Sequence, residues 1–111
     1  MSGITSHILD TSRGVPAANI EVQLELKDGD QWQSVGGGTT NDDGRVADLM
    51  TSAPATGHYR INFMVADYFA AMKQSSFYPV VRIEFSVDDP TQHYHVPLLL
   101  NPFGYSTYRG S

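Results

Sequence analysis

Apolar and polar residues alternate with period two along most of this chain. In IEVQLELK, Ile20, Val22, Leu24 and Leu26 fall on one face and Glu21, Gln23, Glu25 and Lys27 on the other, the pattern of an antiparallel strand with one wet side. YRINFMV repeats it with Tyr59, Ile61, Phe63 and Val65, and VRIEFSV with Val81, Ile83, Phe85 and Val87. Turn-forming clusters separate the runs: Arg13-Gly14-Val15-Pro16, Asp28-Gly29-Asp30, Gly36-Gly37-Gly38, Asp42-Asp43-Gly44 and Asp88-Asp89-Pro90. This spacing predicts an all-β sandwich of short strands. VADYFAAMKQ breaks the alternation. Its Ala66, Ala70, Ala71, Met72 and Lys73 favour helix, with Tyr68 or Phe69 placed to pack, and predict one short helix capping the sandwich.

Two runs at opposite ends of the chain carry histidines. Alternation in ITSHILD sets Ile4 and Ile8 against Thr5, His7 and Leu9, and in HYHVPLLL it sets Tyr94, Val96, Leu98 and Leu100 against His93, His95, Pro97 and Leu99. Each strand is therefore apolar on both faces, as expected if a second subunit covers the histidine face. Pattern alone leaves two readings of His7 and His95, strand histidines bonded to backbone or members of a site. His93 and His95, two apart on one face, could hold a metal only by recruiting further ligands such as His7. The expectation is no metal site and a solvated His93, with His58 on a surface loop. Pro97 cannot donate to a ladder, so its strand should be irregular there or have a free position.

Composition narrows the function classes. A chain of 111 residues suits a single domain spanning 1–111. Charged residues are only 17%, low for a small, fully solvated surface, which again favours a covered face. A net charge of -5 without any Lys/Arg run argues against nucleic acid and anionic membrane as partners, leaving a small molecule or protein. The lack of cysteine removes disulfides, thiolate metal sites and cysteine nucleophiles. MSGITSHILDTS has no basic start followed by an apolar run, and no stretch approaches the roughly 20 apolar residues of a membrane span, so a soluble, cytoplasmic protein is expected.

The turn in TTNDDGRVADL delivers Arg45, whose planar fork of donors suits carboxylates, ureides and similar acceptors; a solvated hairpin arginine is the alternative. Asp42 and Asp43 read as turn formers. The final stretch, HYHVPLLLNPFGYSTYRGS, ends on aromatics, hydroxyls and an arginine, where a frayed polar tail is usual.

SHILDTSRGVPA, TTNDDGR and HYHVPLLLNPFGYSTYRGS together resemble the transthyretin-like 5-hydroxyisourate hydrolases of urate breakdown, over essentially the whole chain. The complete ending Tyr108-Arg109-Gly110-Ser111 is the discriminating piece, because the hormone carrier transthyretin diverges there. The resemblance implies a transthyretin-like sandwich of two four-stranded sheets with one short helix. It also implies a homotetrameric dimer of dimers with active sites in the channel between dimers. It places His7, Arg45, His95 and Ser111 in the catalytic machinery, and His7, Arg45, Tyr108, Arg109, Gly110 and Ser111 around the substrate, 5-hydroxyisourate, with no cofactor. The tetrapeptide would wall the site, with the Ser111 hydroxyl or carboxylate orienting water or a histidine. The competing function is a carrier of a small planar ligand in the same channel. Which histidine is the base stays open at this level.

Overall fold

The computed structural model describes residues 3–46, 49–50 and 52–110, and in it the alternating runs become strands. In chain order they are β1 (Gly3–Asp10), β2 (Val15–Pro16), β3 (Glu21–Asp28), β4 (Gln31–Thr39), β5 (Gly57–Met64), α1 (Ala66–Ala71), β6 (Val81–Val87), β7 (His93–Asn101) and β8 (Gly104–Thr107). They form two four-stranded sheets, ordered β2-β1-β7-β8 and β4-β3-β5-β6. The sheets bury the apolar side of each alternation against one another. Ile4, Ile8, Leu98 and Leu100 from one and Val22, Leu24, Ile61 and Phe63 from the other are all at most 1% exposed. Among the described residues no helix is long and apolar enough to cross a membrane.

All but one of the strand pairings are antiparallel. The exception joins the ends of the chain, β1 running parallel to β7 with Ile4 opposite Tyr94 and Asp10 opposite Leu100. The inner faces are those the alternation predicts, because register by twos fixes which residues share a side.

The glycine triplet differs from expectation. Gly36, Gly37 and Gly38 lie inside β4, opposite Leu24, Gln23 and Val22, and do not form a turn. Close approach is the reason. A β-carbon on Gly36 would run into the Leu49 carbonyl, and one on Gly38 would stand 2.7 Å from Val46 Cγ1. The segment that follows the Arg45 turn packs against these glycines on one side and bridges to β1 on the other, through Ile4–Met50 and His7–Arg45. Leu49 and Val46 enter the core from it, at 0% and 4% exposure.

The helix is shorter than its sequence signal, six residues, with only Phe69 buried. So short a helix is held by tertiary contacts. Its anchor is Tyr68, whose hydroxyl donates to Asp10 Oδ2 at 2.7 Å, while Asp10 Oδ1 accepts from the Ser12 and Arg13 amides and the Ser12 hydroxyl. Burial pushes the Asp10 carboxyl up, but the hydrogen bonds from Ser12, Tyr68 and Arg13 outweigh it and hold the group below its ordinary range. Asp10→Ala is expected to destabilise the fold by about 3 kcal/mol, since each buried donor left without an acceptor costs about 1–3 kcal/mol. Urea unfolding reads this directly, and an unchanged midpoint would mean that water replaces the carboxylate.

Candidate active site

Parallel pairing sets Thr5 beside His95 and His7 beside Pro97. Alternate residues share a face, so Thr5, His7, His93 and His95 stand together on the outer side of the β2-β1-β7-β8 sheet. All four are half-buried. The Thr5 hydroxyl lies 2.8 Å from His93 Nε2 and 2.8 Å from His95 Nδ1, tying the two imidazoles together. Their rings are nearly parallel, with an interplanar angle of 18° and centroids 6.5 Å apart. The Nδ1 atom of His93 is buried and has no hydrogen-bond partner among the described residues. The expected solvated His93 is thus corrected. Its ring is part of the cluster because Thr5 reaches it diagonally across the strand pair.

Arg45 arrives on a tight turn. Asn41 Oδ1 accepts the amides of Asp43 and Arg45 at 2.9 and 3.1 Å, and the Gly44 amide donates to the Asn41 carbonyl at 2.9 Å. Gly44 has φ +75°, a conformation that favours glycine, and a β-carbon there would strike the Ile8 carbonyl. The Ile8 amide donates to the Gly44 carbonyl at 2.8 Å, which pins the turn to β1 next to His7. Asp42 and Asp43 are exposed turn residues, as the sequence suggests. Neither ion pair among the described residues, His58–Glu84 or Arg60–Glu25, involves Arg45, so its exposed guanidinium is available to an anionic or oxygen-rich ligand.

These groups surround a depression of about 510 Å³, whose lining includes Thr5, Asn41, Arg45, Val46, His93 and His95. A second depression of the same volume, about 510 Å³, lies beside α1 with Arg13, Asp67 and Tyr68 in its wall. Volume does not separate the two, but chemistry does: only the first joins imidazoles to a guanidinium. Among the described residues no group of three or more His, Cys, Asp or Glu is arranged to hold a metal ion.

Burial lowers the His95 pKa below its ordinary 6.5, and the nearby charges of Arg45, His93 and His7 lower it further. His95 is therefore neutral at neutral pH, able to accept or donate a hydrogen bond without a net charge. The unfolded chain protonates this group first as pH falls, so its share of stability is complete above about pH 6.5 and is lost below it, down to the folded-state pKa. His95→Asn is expected to flatten that acid-side slope, as measured by thermal melts across pH; an unchanged slope would assign it to other groups.

The tail reaches the cluster through its backbone. The Gly110 amide donates to the His95 carbonyl at 2.8 Å, in the same antiparallel register that pairs Leu98 with Thr107. The ladder is interrupted between those points, where Pro97, opposite Tyr108 in that register, has no N–H to give. β7 itself runs unbroken, so the irregularity expected at Pro97 falls on its neighbour. Tyr108 is 59% exposed. The Arg109 side chain donates to Gln92 Oε1 at 2.8 Å and lies over the Tyr94 ring, 4.5 Å from its centroid. Both line a separate opening of about 250 Å³ that also touches Ile83 and Phe85. Within the protomer, then, His7, Arg45, His95 and Gly110 come together, while the Tyr108 and Arg109 side chains stand apart from them. Ser111 lies outside the described residues.

Two contributors escaped the sequence reading, Thr5 and Asn41. Alternation already places Thr5 on the His7 face, but its two imidazole contacts depend on which strand pairs with β1. Asn41 carries an Asx-turn signal that reads only as turn chemistry.

Residues 4–110 match the model of the HIUase/Transthyretin family. A 5-hydroxyisourate hydrolase of Caulobacter vibrioides is 44% identical, with 100% of both chains covered. The solved 5-hydroxyisourate hydrolase of Klebsiella pneumoniae superposes with a TM-score of 0.86 at 32% identity, over 97% of this chain and 98% of that one. Transthyretin from Sparus aurata superposes with a TM-score of 0.92 at 27% identity, over 99% and 97%.

Proposed function

The chain belongs to the HIUase/Transthyretin family, and from this premise we propose that it hydrolyses 5-hydroxyisourate in urate breakdown, giving 2-oxo-4-hydroxy-4-carboxy-5-ureidoimidazoline. The observation that carries the reading is the joining of two β7 imidazoles, His93 and His95, with the turn-borne Arg45 guanidinium around one depression, beside which β1 places His7. Shape alone would not, since transthyretin fits as well as the hydrolase does.

The substrate is a planar bicycle rich in carbonyl oxygens. Water adds to C6, the C6–N1 bond breaks, and N1 leaves with its electron pair and takes up a proton. One histidine of the His7/His95 pair removes the proton from water and returns it to N1, while the other orients the reacting groups. Arg45 binds substrate oxygens and stabilises the oxyanion that develops at C6. The Gly110 backbone holds the His95 strand position, and Tyr108 and Arg109, whose side chains stand apart from the histidines within one protomer, complete the substrate enclosure with Ser111 across the assembly. The reaction calls for no cofactor.

The assembly in this reading is a cytoplasmic homotetramer of single-domain protomers. Phe77, Phe103 and Tyr108 are 70%, 63% and 59% exposed, more aromatic surface than a small monomer ordinarily leaves to water. Light scattering at micromolar concentration is expected to give four protomers, and a monomer would remove the composite site. Activity is tested by generating 5-hydroxyisourate from urate and following its ultraviolet decay. Acceleration over spontaneous decay is expected; its absence would leave a planar-ligand carrier as the better reading.

A further inference from the structure

We propose that Thr5 and His93 are a positioning pair that holds His95 in a single tautomer, with its proton on Nε2, so that His95 donates to the substrate and His7 is left as the base. The assignment rests on the hydrolase reading above and settles the roles within it.

Proton counting carries the inference. One hydroxyl has one proton, yet Thr5 Oγ1 sits at 2.8 Å from a nitrogen of each ring. Accepting from both would leave its own proton without an acceptor among the described residues, so it donates to one imidazole and accepts from the other. If it donated to His93 Nε2, neutral His93 would carry its proton on Nδ1, which is buried and has no partner among the described residues. An orphaned buried N–H is the costlier kind of unpaired group. The opposite direction leaves only an unshared lone pair there. Protons therefore run from His93 Nε2–H to Thr5 Oγ1 and from Thr5 Oγ1–H to His95 Nδ1. A neutral His95 that accepts at Nδ1 must carry its own proton on Nε2, the nitrogen that bonds no described residue.

Chemistry follows from that direction. A neutral imidazole with Nε2–H cannot take a proton from water at that atom, and its other nitrogen is occupied. It can donate to the C6 oxygen as negative charge builds there, beside the Arg45 guanidinium. His7, on the same face and bridged to Arg45, takes the proton from water as the new C6–O bond forms. It then delivers that proton to N1 as the C6–N1 bond breaks, so the histidines end as they began. Thr5 and His93 touch no reacting atom; they act through His95.

The test is nitrogen-15 NMR of the histidine side chains in mildly alkaline buffer, combined with steady-state kinetics. In the wild-type protein His95 is expected to show a protonated Nε2 and a bare Nδ1. Thr5→Val removes the hydroxyl at nearly constant shape. It is expected to turn the His95 signals into an average of both tautomers and to lower kcat about 10- to 100-fold, the usual loss for an orienting partner, with KM little changed. Thr5→Ser should restore both readings. His93→Leu removes the N–H that Thr5 accepts and should also release the tautomer. A proton on Nδ1 of wild-type His95 overturns the proposal whether or not the variants fold, and so does a Thr5→Val spectrum identical to wild type. A wild-type protein that leaves 5-hydroxyisourate decay unaltered would sink the hydrolase reading alone, because the tautomer is read without substrate.

Discussion

Replacing His7 with alanine is expected to lower kcat/KM for 5-hydroxyisourate by about 10²- to 10⁴-fold, the loss typical of a general base. Arg45→Ala and His95→Ala should each cost about 10²- to 10³-fold, as does removing one donor to a developing oxyanion. None of the three should unfold the protein. Arg45 is exposed and the two histidines are half-buried on the outer face, while the core between the sheets is built from Ile8, Leu24, Phe63, Leu98 and their neighbours. His58→Ala is the control: its ring sits on the outer face of the other sheet, against exposed Glu84 and the edge of Trp32, far from the cluster in the fold. Turnover and thermal midpoint measured on all four proteins separate the outcomes. Near-parental turnover in any of the first three removes that residue from the site, and loss of turnover with a collapsed midpoint would assign it to the fold instead.

Gly110→Ala should impair turnover although it alters no reacting group. A β-carbon at this position would stand 2.5 Å from His95 Cδ2 and 3.2 Å from Cγ, so the imidazole must tilt away and strain its contact with Thr5. Misplacing a catalytic group by about 1 Å can cost 10²-fold, and a loss of that order is expected in kcat. Deleting residues 109–111 would remove the Gly110 amide from the His95 carbonyl and should act in the same direction. Stability should change little in either case, because Arg109 is exposed and Gly110 contributes no side chain. Parental kcat in both variants would show that the tail merely lies beside the site and does not hold it.

Much of this protein is determined by local pattern. Period-two alternation in 20–27, 59–65 and 81–87 is sufficient to mark strands and their buried faces, because a strand's two sides must meet different environments. The same logic places Thr5, His7, His93 and His95 on one kind of face before any pairing is known. The turn before Arg45 is also local, since Asn41 and Gly44 satisfy it within a few residues. The family is legible in the motifs at both ends of the chain, and the comparisons agree with it.

Tertiary structure alone decided what those local pieces meet. Nothing in ITSHILD says that it lies parallel to HYHVPLLL, a pairing across almost the entire chain, yet that register is what puts Thr5 between two imidazoles. The glycine triplet has the composition of a turn and is a stretch of strand, because the Leu49 backbone crowds Gly36 and the Val46 side chain crowds Gly38. His93 passes for a solvated strand end until burial of its Nδ1 is seen. Periodicity reports the side on which a residue stands. Proton direction, close approach and the partner across a sheet depend on atoms brought together from distant positions, and the folded chain is what specifies them.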